Sequence, residues 1–158
     1  MLVVSDTSPL NGLFRIGQIH LLEVLFAKVI IPREVAEELS AIEVFGFDPK
    51  FYQDYAWIEI HESPSYTAFQ ETLDRGESAA LALAKELHAD ILLIDELKAR
   101  DIAKQEGFRV IGILGILLLA KSEGHISSVV QPMDKLINEV GFWIDRSLYQ
   151  KIKSLAGE

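Results

Sequence analysis

The chain has 158 residues, of which 49% are hydrophobic and 25% charged, with 10 glycines, 5 prolines and no cysteine. That is globular composition in a chain long enough for one domain with a full-sized core, and it excludes disordered, collagenous and low-complexity classes. The lack of cysteine rules out disulfides, thiolate-ligated zinc, iron–sulfur clusters and a thiol nucleophile, and suits a reducing cytosol.

The formal net charge is −9, which disfavours a protein that coats duplex DNA, since phosphate binding is driven by Lys and Arg. The imbalance sits in residues 1–79, with 5 Lys/Arg against 13 Asp/Glu, whereas residues 80–158 hold 10 against 11. Such a half carries either solvated acidic helix faces, an acidic metal cluster or a surface for a basic partner. The longest uncharged apolar run, Val110 to Ala120, is short of the ~18 residues of a membrane span. The opening Met1-Leu2-Val3-Val4-Ser5-Asp6 has no basic segment and an early acid, unlike a secretory signal. The expectation is a cytoplasmic protein with no membrane partner.

In chain order, short apolar runs predict strands at Leu2–Ser5, Val29–Ile31, Ile91–Ile94 and Arg109–Ile111, with a weaker one at Trp57–Ile60. Between and after them, helical patterns cover Pro9–Ile16, Leu21–Phe26, Arg33–Ala41, Gly76–Leu87, Leu97–Glu106, Ile113–Ser122, Met133–Val140 and Ser147–Ala156. In the fourth helix, Ala80, Leu83, Ala84 and Leu87 form the i, i+3, i+4, i+7 stripe of an amphipathic helix. Strands alternating with helices imply crossover units, hence an α/β fold: a three-layer α/β/α sandwich around a mostly parallel sheet, spanning residues 1–158 as one domain. The aromatic stretch Phe45, Phe47, Phe51, Tyr52, Tyr55 and Trp57 suits either core packing or a partner-facing surface.

Several chemistries are missing. Gly112, Gly115 and Lys121-Ser122 lack phosphate-loop spacing, and no Gly-x-Gly-x-x-Gly occurs. The histidines His20, His61, His88 and His125 are scattered and form no zinc pair or hydrolase triad.

Acids, by contrast, occur at telling places. Asp6 stands where the first strand stops, before Thr7-Ser8-Pro9, which reads as a hydroxyl cap and a proline at the first helical position. Asp95 repeats the arrangement after Ile91-Leu92-Leu93-Ile94, with Glu96 beside it. In open parallel sheets ligands bind beyond the carboxyl ends of the strands, where both acids lie. The structural alternative is that each caps a helix and offsets its dipole. Glu38 lies in the helix opened by Pro32, where taken alone it reads as a solvated helix residue, and Glu77 follows Gly76 at a helix start, where it reads equally as a first-turn acid offsetting the helix dipole.

The joint order of these acids resembles a PIN domain. The resemblance is carried by Val3-Val4-Ser5-Asp6-Thr7-Ser8-Pro9-Leu10, Ile30-Ile31-Pro32-Arg33-Glu34-Val35-Ala36-Glu37-Glu38-Leu39, Arg75-Gly76-Glu77-Ser78-Ala79-Ala80 and Leu92-Leu93-Ile94-Asp95-Glu96-Leu97-Lys98-Ala99-Arg100. The later Arg109-Val110-Ile111-Gly112-Ile113-Leu114-Gly115 resembles a poorly characterised prokaryotic PIN subfamily. The resemblance implies a divalent-metal-dependent endoribonuclease using Mg²⁺ or Mn²⁺, in which Asp6, Glu38, Glu77 and Asp95 are catalytic and ligate the metal. Asp74 competes with Glu77 for the third place, and Ser8, Glu96 and Arg100 are auxiliary.

The implied partners are single-stranded or structured RNA, a small antitoxin protein of the VapC-type pairs, and a second copy in a homodimer. The chemistry is self-consistent, because carboxylate oxygens suit hard cations and four of them repel without one. Lys98, Arg100, Lys104, Arg109 and Lys121 are candidates for phosphate contacts, the alternative being solvated faces or an ion pair of Glu96 with Arg100. A catalytically inactive PIN-like module that binds RNA or protein is the competing reading. A phosphatase using Asp6 as nucleophile ranks lower, because Ser8 stands where its second acid belongs.

Overall fold

The computed structural model describes residues 1–42 and 54–158. Five strands, β1 (Val3–Ser5), β2 (Val29–Pro32), β3 (Ile58–His61), β4 (Ile91–Leu93) and β5 (Arg109–Ile111), form one sheet in the order β3-β2-β1-β4-β5. Every pairing is parallel. Among the described residues the helices are α1 (Thr7–Arg15), α2 (His20–Phe26), α3 (Arg33–Ser40), α4 (Arg75–Glu86), α5 (Leu97–Gln105), α6 (Ile113–Ser122), α7 (Val130–Lys135) and α8 (Arg146–Leu155). The α/β/α sandwich predicted from the alternating pattern is what the chain forms, with the weak Trp57–Ile60 signal realised as β3, one residue further along.

The sheet separates two cores by simple alternation. Val3, Val29, Ile31, Ile91 and Leu93 join α1, α2, α6 and α7 on one face. Val4, Ile30, Leu92 and Ile94 join α4 and α5 on the other. The Ala-rich stripe of α4 lies against this second face, with Ala79, Ala80, Leu81, Leu83 and Ala84 at most 1% exposed. From β1 the chain steps to β2 on one side and later to β4 on the other, so the strand order switches between β1 and β4. A crevice opens at such a point beyond the carboxyl ends of the strands.

One helical expectation is corrected. The predicted Met133–Val140 helix is two pieces: α7 ends at Lys135 and the chain continues as a π-helical turn over Leu136–Val140. Gly141 (φ 74°) ends that turn in the left-handed conformation open to glycine. A 3.6-residue period in the sequence does not reveal the single extra residue that a π turn accommodates.

Of the aromatic stretch, Phe45, Phe47, Phe51 and Tyr52 lie outside the described residues. Trp57 is buried and stacks obliquely on Tyr55 with ring centroids 5.6 Å apart, so these two serve the core. Lys121 is also structural: its Nζ donates to the Ser127 carbonyl (2.6 Å) and lies 3.5 Å from Glu158. No helix among the described residues is long and apolar enough to cross a membrane.

Leu93 lies fully buried in β4, and its carbonyl receives the Asp6 backbone N–H at 3.0 Å. Leu93→Ala should cost about 2–5 kcal/mol, read as a lower urea midpoint at unchanged slope; a change below about 1 kcal/mol would contradict the packing described.

Candidate active site

The register of β1 on β4 pairs Ser5 with Leu93, so Asp6 stands beside Ile94 and Asp95 one residue beyond. Alternation continues past the strand ends. Asp6 follows Val4 on the face that carries α4 and α5, and Asp95 follows Leu93 on the face that carries α1 and α6. Two acids that look equivalent in sequence therefore enter different surroundings.

Asp6 is 4% exposed and occupies the N-cap position of α1, yet its side chain makes no capping hydrogen bond. The helix-capping alternative thus fails for this carboxyl. Burial pushes its pKa up to about 8, the Thr7 backbone N–H opposes the rise, and the charges of Glu77, Asp74 and Glu38 add to it. Glu77 is 7% exposed and likewise raised, by burial first, then by Asp74, Glu96 and Glu38. It completes a capping box at the start of α4: its backbone N–H donates to Asp74 Oδ1 (2.8 Å), and its Oε2 accepts from the Asp74 N–H (3.2 Å). Asp74, the competing third acid, is exposed and caps the helix, while Glu77 points inward.

Glu38 is half-buried on α3, where the Thr7 hydroxyl donates to its Oε2. Its carboxylate lies against the first turn of α4, where Gly76 leaves room for it: a Cβ on Gly76 would stand 2.6 Å from Glu38 Oε1 and 2.8 Å from its Cδ. The Glu38 charge thus acts on both Asp6 and Glu77, bringing together acids from the end of β1, α3 and α4.

Asp95 is held differently. Its Oδ1 accepts the Ile113 backbone N–H at 2.6 Å, at the start of α6, while its Oδ2 is buried without a hydrogen-bond partner. Burial raises its pKa to about 6, opposed by the Ile113 bond and the Arg100 charge. A Cβ on Gly112 would stand 2.8 Å from Asp95 Oδ1, so this glycine too clears space for a carboxylate.

The auxiliaries divide in the same way. Glu96 caps α5 through the Ala99 N–H (2.8 Å), and its charge reaches Glu77. Arg100 turns back to the strand end, with Nη1 3.5 Å from the Ile94 carbonyl, rather than pairing with Glu96. Ser8 is exposed and shares a cleft with Asp95. Lys98, Lys104 and Arg109 are exposed. Thr7, read from sequence only as a cap, proves to be a partner of Glu38. Gly76 had an overlooked signal, since glycine inside the first turn of a helix, where alanine would be better, calls for a steric reason.

The acids of this region offer oxygen donors alone, a donor type suited to Mg²⁺ or Mn²⁺ rather than zinc or copper. Among the described residues, no three His, Asp or Glu side chains are arranged, as they stand, to hold a metal ion. The raised Asp6 and the orphaned Asp95 oxygen nevertheless fit a site that gains from positive charge.

The raised carboxyl has a thermodynamic sign. Unfolded, Asp6 ionises near pH 4; folded, it keeps its proton to about 8, so between these values the folded state binds the extra proton and stability falls as pH rises. Metal-free protein should therefore melt lower at pH 8 than at pH 5. Asp6→Asn should flatten this dependence and raise Tm at pH 8 by about 5 °C or more; parallel curves for the two proteins in EDTA would contradict the burial cost.

A family model described as a PIN domain matches residues 2–158. No curated protein and no solved structure matches the chain. The model spans the parallel sheet, both acidic strand ends and the glycines that make room for Glu38 and Asp95, and the chain belongs to the PIN domain family.

Proposed function

We propose that this protein is a divalent-metal-dependent endoribonuclease that hydrolyses RNA phosphodiesters, with Asp6, Glu38, Glu77 and Asp95 as the residues that hold Mg²⁺ or Mn²⁺. The observation that carries the reading is Asp6: a carboxyl 4% exposed, uncapped, pushed up to about 8 and facing further acids. No packing advantage accounts for burying a carboxyl among carboxyls, whereas a cation would make that arrangement favourable. PIN domains are typically nucleases, which supports the same reaction class.

Each residue has a task in this reading. Asp6 would hold the cation as a carboxylate, without the proton that burial otherwise keeps on it. The Thr7 hydroxyl and the space at Gly76 fix the Glu38 carboxylate. The Ile113 N–H and Arg100 hold Asp95 and leave Oδ2 for a further partner. When bound, Mg²⁺ or Mn²⁺ supplies Lewis acidity toward a phosphoryl oxygen and a lowered pKa for water. The cation also offsets part of the −9 charge that an approaching RNA meets. A small antitoxin protein and a second copy in a homodimer are the protein partners of this reading, by likeness to the VapC-type pairs.

One observation favours a second reading, an inactive PIN-like module that binds RNA or protein: the acids are not arranged for a metal as they stand. Thermal melting with millimolar Mn²⁺ separates the two, since a ligand of the folded state must raise Tm. The nuclease reading expects a rise of several degrees, lost in Asp6→Asn and reduced in Gly76→Ala. It also expects metal-dependent cleavage of a fluorescent single-stranded RNA that falls at least about 100-fold in Asp6→Asn and Asp95→Asn. No shift and no cleavage by wild type would leave the binding module.

A further inference from the structure

The histidines are scattered in the sequence, yet the fold brings His20 and His125 to one cleft of about 330 Å³, within the ~300–1,000 Å³ typical of small-ligand sites. Its walls follow from helix ends. α1 and α6 each close with a left-handed glycine, Gly17 (φ 72°) and Gly124 (φ 79°), and the residues just beyond them, Gln18 with His20 and His125, form two walls. The third is α7, where Gln131 and Lys135 lie one turn apart on the same face. At both turns terminal carbonyls are taken: Leu13 and Phe14 accept from the Gln18 and Gly17 N–H groups, and Ala120 and Lys121 from those of His125 and Gly124. The ten residues of α6 separate this cleft from Asp95, which holds the Ile113 N–H at the helix's other end, a distance of ~15 Å.

No described Asp or Glu lines the cleft, although the chain has 24 of them and a net charge of −9, whereas Lys135 and two imidazoles do. Acids that border these residues in sequence or space are engaged elsewhere. Glu158 accepts from the Ser128 hydroxyl (2.5 Å) and the Val129 N–H (2.7 Å) and lies 3.5 Å from Lys121, and Asp134 accepts from the Tyr149 hydroxyl (2.8 Å). Lys121 in turn donates to the Ser127 carbonyl, which removes that acceptor from the rim. Glu123 stands 3.6 Å from His125 Nε2 at the exposed surface, where an incoming anion takes its place.

Each imidazole offers at least one N–H and Lys135 offers three, so donors enter the cleft from all three walls. A phosphate group is their complement, with strong acceptor oxygens and full negative charge at neutral pH. We propose that this cleft binds a phosphate group, carried by a free nucleotide or by an RNA strand, with His20, His125 and Lys135 as its ligands. The inference does not depend on the ribonuclease reading, because none of the four acids takes part.

Calorimetric titration of inorganic phosphate and of AMP into the full chain, in EDTA at pH 7 and fixed ionic strength, tests it with divalent metal removed. Both should bind at about millimolar concentration or below. Lys135→Gln and His125→Gln should each weaken them at least about fivefold. Both side chains are exposed, so Tm without ligand should not change. Lys85→Gln, on α4 across the sheet, should leave binding as it is. A labelled phosphorothioate uridine hexamer, followed by fluorescence anisotropy in the same buffer, distinguishes the carriers. Hexamer affinity that falls in Lys135→Gln assigns the site to an RNA strand; hexamer binding that is absent or unchanged, beside weakened AMP binding, assigns it to a free nucleotide. No binding of phosphate, AMP or hexamer, or binding that both variants leave undiminished, overturns the proposal, and metal-dependent cleavage by the same wild-type sample would then leave the nuclease reading standing.

Discussion

The structure turns on a single unfavourable burial: a carboxyl group at the end of the central strand, enclosed by the sheet and α4 and facing other acids. Everything near it either limits the damage or positions its neighbours. The Thr7 N–H offsets part of the cost, the Thr7 hydroxyl takes Glu38, and the capping box of α4 keeps Asp74 at the helix end while turning Glu77 inward. Proteins retain such arrangements where function needs them, because an apolar residue at the same place would be more stable.

Alternation along two short strands explains how the remaining acid is handled. One residue of offset between Asp6 and Asp95 sends their side chains to opposite faces of the sheet. Asp6 thereby joins α3 and α4, and Asp95 joins α1 and α6. The switch in strand order brings both to one crevice edge, with an acidic group on one side and a cleft on the other. Arg100 and the Ile113 N–H hold Asp95 at the boundary, with one oxygen left over.

Much of this fold was legible because its signals are local. Apolar runs such as Ile91–Ile94 mark buried parallel strands, and the stripe of Ala80, Leu83 and Ala84 marks the covering helix. The acids at strand ends were legible too, since a charged residue closing an apolar run has few structural explanations. What the sequence did not disclose depends on contacts distant along the chain. The Thr7–Glu38 bond joins residues 31 apart, and Gly76 clears space for a residue 38 positions earlier. The division of Asp6 from Asp95 follows from register, which a single strand does not encode. The π turn escaped because one added residue leaves hydrophobic periodicity nearly intact.

Whether the buried acids form a cation site is decided by calorimetric titration of Mn²⁺ into metal-free protein at pH 7 in buffers of different ionisation enthalpy. With Asp6 protonated at that pH, binding should release about one proton, so the observed enthalpy should vary with the buffer. No heat at millimolar Mn²⁺, or binding with no proton release that persists in Asp6→Asn, would contradict the claim.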